Sequence, residues 1–194
     1  MLNLKEQKLI EDSYNLCSFL ESNLIAQLNN EAKKITSNEL VSVDWWNGRR
    51  SPHANMSLKG AMTGFNLGTS APEIFKSLVE ATVFGSKRIL EHLRENGVEI
   101  NEVIAVGGVA KKSPFVMQTM ADALNMPVHV VESDQACALG SVILSSVSVG
   151  VFPDVSTAQK VLASKKENTY SPIAGNVDDL ASRYQKYLLL AANQ

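Results

Sequence analysis

The chain carries 194 residues, 45% hydrophobic and 20% charged, with eighteen Lys and Arg against twenty Asp and Glu for a net charge of −2. At roughly 150 residues per domain this is one domain or little more, and its composition excludes a disordered tail, a collagen-like fibre and a low-complexity linker. Without a basic excess to neutralise phosphates, no nucleic-acid partner is expected.

Residues 4–30 place Leu4, Leu9, Ile10, Leu16, Cys17, Leu20, Leu24 and Leu28 at three- and four-residue steps, which predicts an amphipathic helix broken near Asp12-Ser13. A polar connector follows at 31–39. Val41–Trp46 alternates and is rich in β-branched and aromatic residues, so it reads as a strand running into the turn former Asn47-Gly48. Residues 47–60 are a loop of turn formers and bases, and Ala61–Phe65 is a second short extended piece. Ser70-Ala-Pro-Glu73 is a capping box with proline in the first turn, opening a helix to about Asn96 that Gly97 closes.

The 102–150 stretch is the most organised. Glu102–Val106 predicts a buried strand, Gly107-Gly108 a break, and Ser113-Pro114 an N-cap with first-position proline before a helix over 114–125. Pro127–Val131 predicts a second strand. The β–α–β order implies a right-handed crossover between parallel strands. Ser133-Asp134 is expected to cap a third helix, 135–149, whose many small residues suit close approach to a sheet. Ser156 is expected to cap a short helix to about Ser164; residues 165–175 read as extended, and a last amphipathic helix spans 177–192. No repeat and no second domain boundary are evident.

Two cysteines, Cys17 and Cys137, fit neither a disulfide framework nor a zinc site. Both fall in apolar helical patterns and are expected as buried free thiols in a reducing compartment. His53, His92 and His129 lack metal-ligand spacing. No apolar run approaches the roughly 18 residues of a membrane span, and the N-terminus is too acidic for a signal peptide. A soluble, cytoplasmic protein without a membrane partner is expected.

Chemistry could reside in two places. Gly107-Gly108 sits at the carboxyl end of a strand and before a helix, where open α/β sheets bind ligands. Glycines there let backbone approach a ligand, and Lys111, Lys112 and the helix start at Ser113 add positive character. The alternative is a plain tight turn, for neither a Walker A loop nor a Rossmann fingerprint is present. Asn47-Gly-Arg-Arg-Ser-Pro52 is the second cluster. Its guanidiniums could hold a phosphate or carboxylate, or one could pair with a buried acid such as Glu80 and lock the loop. Of Trp45 and Trp46, which face opposite ways on a strand, only one can be core. Ser133 and Asp134 read as capping residues and Glu80 as an ion-pair anchor. No Ser/His/Asp or Cys/His constellation is legible.

The segments GGVAKKSPFVMQTMADALNMPV (107–128) and ESDQACALGSVILSSVSVG (132–150) resemble the C-terminal signature of the FGGY carbohydrate kinases, and the 47–91 block resembles another stretch typical of that family. The wording of WWNGRRSP and SDQACALG is closer to members acting on ribulose than to those acting on xylulose or glycerol. The similarity runs from about Val41 to Gln194 and is weak over the first 35 residues. This divides the chain into a helical lead-in, 1–40, and a C-terminal FGGY kinase lobe, 41–194. The resemblance implies an α/β fold: part of the second actin-like, ribonuclease H-like lobe of a sugar kinase, with a β-α-β core flanked by helices. It implies ATP with Mg²⁺, bound between two lobes, and transfer of the γ-phosphate to a sugar hydroxyl, with L-ribulose giving L-ribulose 5-phosphate in arabinose breakdown. By the same match Gly107, Gly108, Val109, Ala110, Lys111, Lys112 and Ser113 would lie near the nucleotide.

The family's first phosphate hairpin, its second phosphate motif, its catalytic aspartate and the meander that opens the second lobe have no counterpart here. The chain alone is therefore expected to be inactive, with the N-terminal lobe as its partner. Two strands would remain of the main sheet with one edge stripped, which predicts a homo-oligomer. A non-catalytic nucleotide-binding or interaction module, a kinase for xylulose or glycerol, and a chaperone-type actin-like ATPase are the competing readings; the block from SPHAN to MTGF (51–65) argues against the last.

Overall fold

The computed structural model describes residues 4–194, apart from the side chains at positions 4, 6, 7, 9, 10, 21 and 22. Its first element, α1 (Leu4–Ala32), runs without the break expected near Asp12-Ser13. Leu4, Leu9 and Ile10 of the predicted apolar set lie outside the described side chains. Leu16, Leu20 and Leu24 are exposed, as is Cys17. The helix meets the rest of the chain near its carboxyl end, where Ala32 is fully buried. The expected burial of the Cys17 thiol fails because no described residue covers it.

Strand β1 (Val41–Val43) pairs antiparallel with β2 (Ala61–Thr63), Val41 opposite Thr63. Both are shorter than their sequence patterns, because Asp44 already begins the turn: the Trp46 N–H donates to its carbonyl at 2.9 Å. Helix α2 (Ala71–Glu95) starts at the expected capping box, where the N–H and hydroxyl of Ser70 both donate to the Glu73 carboxylate, at 2.8 and 2.7 Å. Those bonds hold Glu73 below the usual carboxylate range. Gly97, at φ 81°, ends the helix.

Strand β3 (Val103–Ala105) and β4 (Val128–Val131) are parallel, Val103 opposite Val128, as the crossover reading requires. Between them stand a five-residue helix α3 (Gly108–Lys112), which the sequence pattern does not show, and α4 (Pro114–Leu124). The sheet is larger than expected. Strand β5 (Lys166–Tyr170) pairs antiparallel with β4, giving the order β3-β4-β5, so β4 is central and three strands are present rather than two.

Helix α5 (Ala136–Ser148) packs chiefly on α6 (Val155–Leu162), not on the sheet, and only its Ile143 is buried. Cys137 is exposed, against expectation, for the same reason. The N-cap of α5 is Gln135 and that of α6 is Asp154, whose carboxylate accepts from the Thr157 N–H at 2.7 Å. Ser133 instead makes a local turn to the Gln135 N–H, and the Asp134 carboxylate is turned to Lys111. Helix α7 (Ala174–Ala192) closes the fold.

The main core joins Val41, Val43 and Trp45 to Val83 and Phe84 of α2 and to Leu180, Tyr184 and Tyr187 of α7. A second cluster, Ala110, Met117, Ala121, Val128 and Val130, fixes α3 and α4 onto the sheet. That second cluster positions the glycine turn.

Candidate nucleotide-side site

Gly107 leaves β3 at φ 93° and ψ −179°, a backbone state essentially restricted to glycine. A β-carbon built on Gly107 or Gly108 would meet nothing within 4 Å. Gly107 is therefore required by its own dihedrals, and the space above both residues is open to a ligand's approach. Val109 is 63% exposed, while Ala110 faces the core.

The two lysines have different surroundings. Lys111 Nζ lies 2.7 Å from the Asp134 carboxylate and 3.8 Å from Glu167, and also donates to the Glu132 carbonyl. The hydrogen bond to Asp134, with the acids around it, holds this ammonium above the usual lysine range. Lys112 is exposed. Lys111 thus ties α3 to the segment after β4, whereas Lys112 makes no hydrogen bond or ion pair with any described residue. Ser113 is buried and serves the scaffold: its hydroxyl accepts from the Val116 N–H at 3.4 Å, capping α4, and donates to Asn29 Oδ1 of α1 at 2.8 Å. Asn29 is a member of this neighbourhood that the sequence reading missed.

The arginine loop is built differently from the expectation. Glu80 is buried and does pair with an arginine, but with Arg183 of α7. That guanidinium also donates to the carbonyls of Asn38 and Leu40. A signal existed: Leu180, Arg183, Tyr184 and Tyr187 share one buried stripe of α7, and Arg183 is its only charge. Arg49 lies over the Trp45 ring, 5.0 Å from its centroid, and donates from Nε to the His53 carbonyl at 3.1 Å. Trp45 is core and Trp46 is 61% exposed, as the alternation requires. His53 and His92 stack edge to face, and His129 sits 3.3 Å from Glu102.

A β–α–β unit with an open glycine turn at the carboxyl end of a parallel strand is where open α/β sheets receive ligands, and the fold around it is the actin-like one of sugar kinases. Solved structures share the fold. A ligand-bound xylulose kinase from Lactobacillus acidophilus superposes with a TM-score of 0.76 at 20% identity, over 86% of this chain and 34% of its own. A glycerol kinase from Plasmodium falciparum with ADP gives 0.68 at 17% identity, over 91% and 36%.

Sequence carries the assignment further. The C-terminal domain of the FGGY family of carbohydrate kinases matches residues 2–149, and the chain belongs to that family. The match takes in α1, over which the resemblance read from the sequence is weak. Among relatives, the ribulokinase of Vibrio parahaemolyticus is 49% identical over 147 residues, covering 76% of this chain and 26% of that protein. The ribulokinase of Bacillus licheniformis is 39% identical over 158 residues, covering 79% and 29%. The chain therefore spans little more than a quarter of the length of these relatives.

Proposed function

We propose that this chain supplies the nucleotide-side lobe of a ribulokinase, which transfers the γ-phosphate of Mg·ATP to L-ribulose and yields L-ribulose 5-phosphate in the cytoplasm. The 49% identity to a ribulokinase, running through both the arginine loop and the glycine turn, is the observation that carries this reading. In it, the adenosine portion of ATP lies against the segment Gly107–Ser113. The residues fit such a group: Gly107 and Gly108 present backbone with no side chain in the way, and Lys112 is exposed and pairs with no described residue. Bound ATP with Mg²⁺ supplies the transferable phosphoryl group and neutralises its charge.

This chain's part is positioning. The Lys111–Asp134 pair and the Ser113–Asn29 hydrogen bond hold the glycine turn against β4 and α1, so a nucleotide docks on a preformed surface. The sugar-holding groups and the base that deprotonates the sugar hydroxyl belong to the N-terminal part of the enzyme. Mg·ATP titrated calorimetrically into the chain is expected to bind, and Gly108→Leu, which fills the open space without entering the core, is expected to weaken that binding at least about tenfold. Absence of binding at millimolar ATP, or binding unchanged in Gly108→Leu, overturns the assignment of this segment.

A further inference from the structure

A second cleft lies away from the glycine turn and shares no residue with it. It is an open cleft of about 770 Å³ bordered by the arginine loop, α2 and the last turns of α7. Three features of its wall stand together. Trp46 packs against Gly60: a β-carbon there would sit 2.5 Å from the indole ring, so only glycine admits this packing. The ring is thereby held from behind while 61% of the residue stays exposed. Arg50 lines the same cleft, and its guanidinium makes no hydrogen bond or ion pair with any described residue. Asp44, half-buried in the same wall, lies close enough to Tyr187 to act on its hydroxyl electrostatically, but its carboxylate makes no hydrogen bond or ion pair with any described residue. Arg49, by contrast, is fixed on Trp45.

An acid and a base that share a cleft without pairing leave one acceptor and one bidentate donor available to a ligand. The loop carrying them is stiff. Arg49 and Asn55 exchange backbone hydrogen bonds at 2.9 and 2.8 Å, and Gly48, at φ 75°, brings its backbone against Met56. The aromatic face suits the C–H face of a sugar ring or a base. A carboxylate accepts from hydroxyls, and a free guanidinium matches a phosphate in a bidentate fork. A phosphorylated sugar satisfies all three.

We propose that this cleft is an accessory site for a phosphorylated sugar, free or as the ribose phosphate of a nucleotide. It is distinct from the glycine turn and separate from phosphoryl transfer. The test is tryptophan emission of the full chain, titrated with ribose 5-phosphate, AMP, ribose and inorganic phosphate. Ribose 5-phosphate should change the emission saturably with Kd at or below about 1 mM. Ribose and phosphate alone should each be at least about tenfold weaker. Arg50→Ala, a change at an exposed side chain, should weaken ribose 5-phosphate about tenfold or more, the loss expected of a hydrogen-bonded charge, while Gly108→Leu leaves it unchanged. AMP binding tenfold tighter than ribose 5-phosphate, and equally sensitive to Arg50→Ala, identifies the nucleotide as the source. No saturable change, a response that survives Arg50→Ala, or one abolished by Gly108→Leu overturns the proposal.

Discussion

Glu80 and Arg183 show how one pair of residues can hold three elements. Glu80 sits in the middle of α2 and Arg183 in α7, and the guanidinium reaches past the carboxylate to the Asn38 and Leu40 carbonyls just before β1. Glu80 is only 2% exposed and its Oε1 has no partner among the described residues. Burial therefore outweighs the pull of Arg183 and raises the carboxyl above its usual range. Because the folded pKa lies above the unfolded one, this group's contribution is fully present below the unfolded pKa and is lost as pH rises through the folded value. The two deletions should then differ. Glu80→Met strands a guanidinium that cannot lose its proton, and should destabilise by about 3–5 kcal/mol. Arg183→Met strands an acid that can be neutralised, so its deficit should be smaller and should shrink as pH is lowered. The double Met variant should recover most of the loss. Urea unfolding of the four proteins at two pH values measures all of this; equal, pH-independent deficits would contradict the account.

At the scale of elements, Ser113 joins two jobs that the sequence presents as one. Its hydroxyl caps α4 and also holds Asn29 at the carboxyl end of α1. Ser113→Ala should cost about 1 kcal/mol, the usual loss of a cap, and amide exchange should quicken at the end of α1 as well as at the start of α4. Quickening in α4 alone would show that the Asn29 contact carries nothing. Elements with local punctuation were legible: Ser70, Pro72 and Glu73 mark the start of α2, Gly97 its end, and Ser113-Pro114 the start of α4. Elements settled by tertiary contact were legible only in part: 165–175 read as extended but not as a third strand, and α7 read as starting at 177. Four of the five residues of β5 are exposed, so Lys166–Tyr170 carries no apolar alternation and is a strand because β4 offers it a partner. Helix α7 begins at Ala174 because the buried Asp122 of α4 accepts from the Ile173 N–H and the Asn176 amide, at 2.8 and 2.7 Å. The glycine turn was legible as a place, but the division of labour between Lys111 and Lys112 was not. It depends on Asp134, twenty-three positions away.

Across the whole molecule, apolar surface is unevenly covered. The core of β1, α2 and α7 is closed, with Tyr187 pushed up to about 12 mainly by burial. Leu16, Phe19, Leu20, Leu24 and Ile25 of α1 are exposed, and so are Val142 and Leu144 of α5. These are the regions where the cysteines were expected to be buried. The sheet adds an opening of its own. Pairing with β5 closes one side of β4, but among the described residues β3 has β4 on one side only, and Ile104 on it is 52% exposed, with Val106 just beyond at 54%. Unpaired backbone groups beside exposed β-branched side chains favour addition of another strand. Among the described residues β3 is the one edge that pairs in parallel, and a second copy can cover it. Light scattering of the purified chain should therefore give a dimer or larger species. Ile104→Lys places a charge on the edge without touching the core, and should shift the distribution toward monomer while the thermal midpoint of the remaining monomer stays unchanged. A stable monomer across the accessible concentration range would mean that the three-stranded sheet protects its edge by twist and shortness alone.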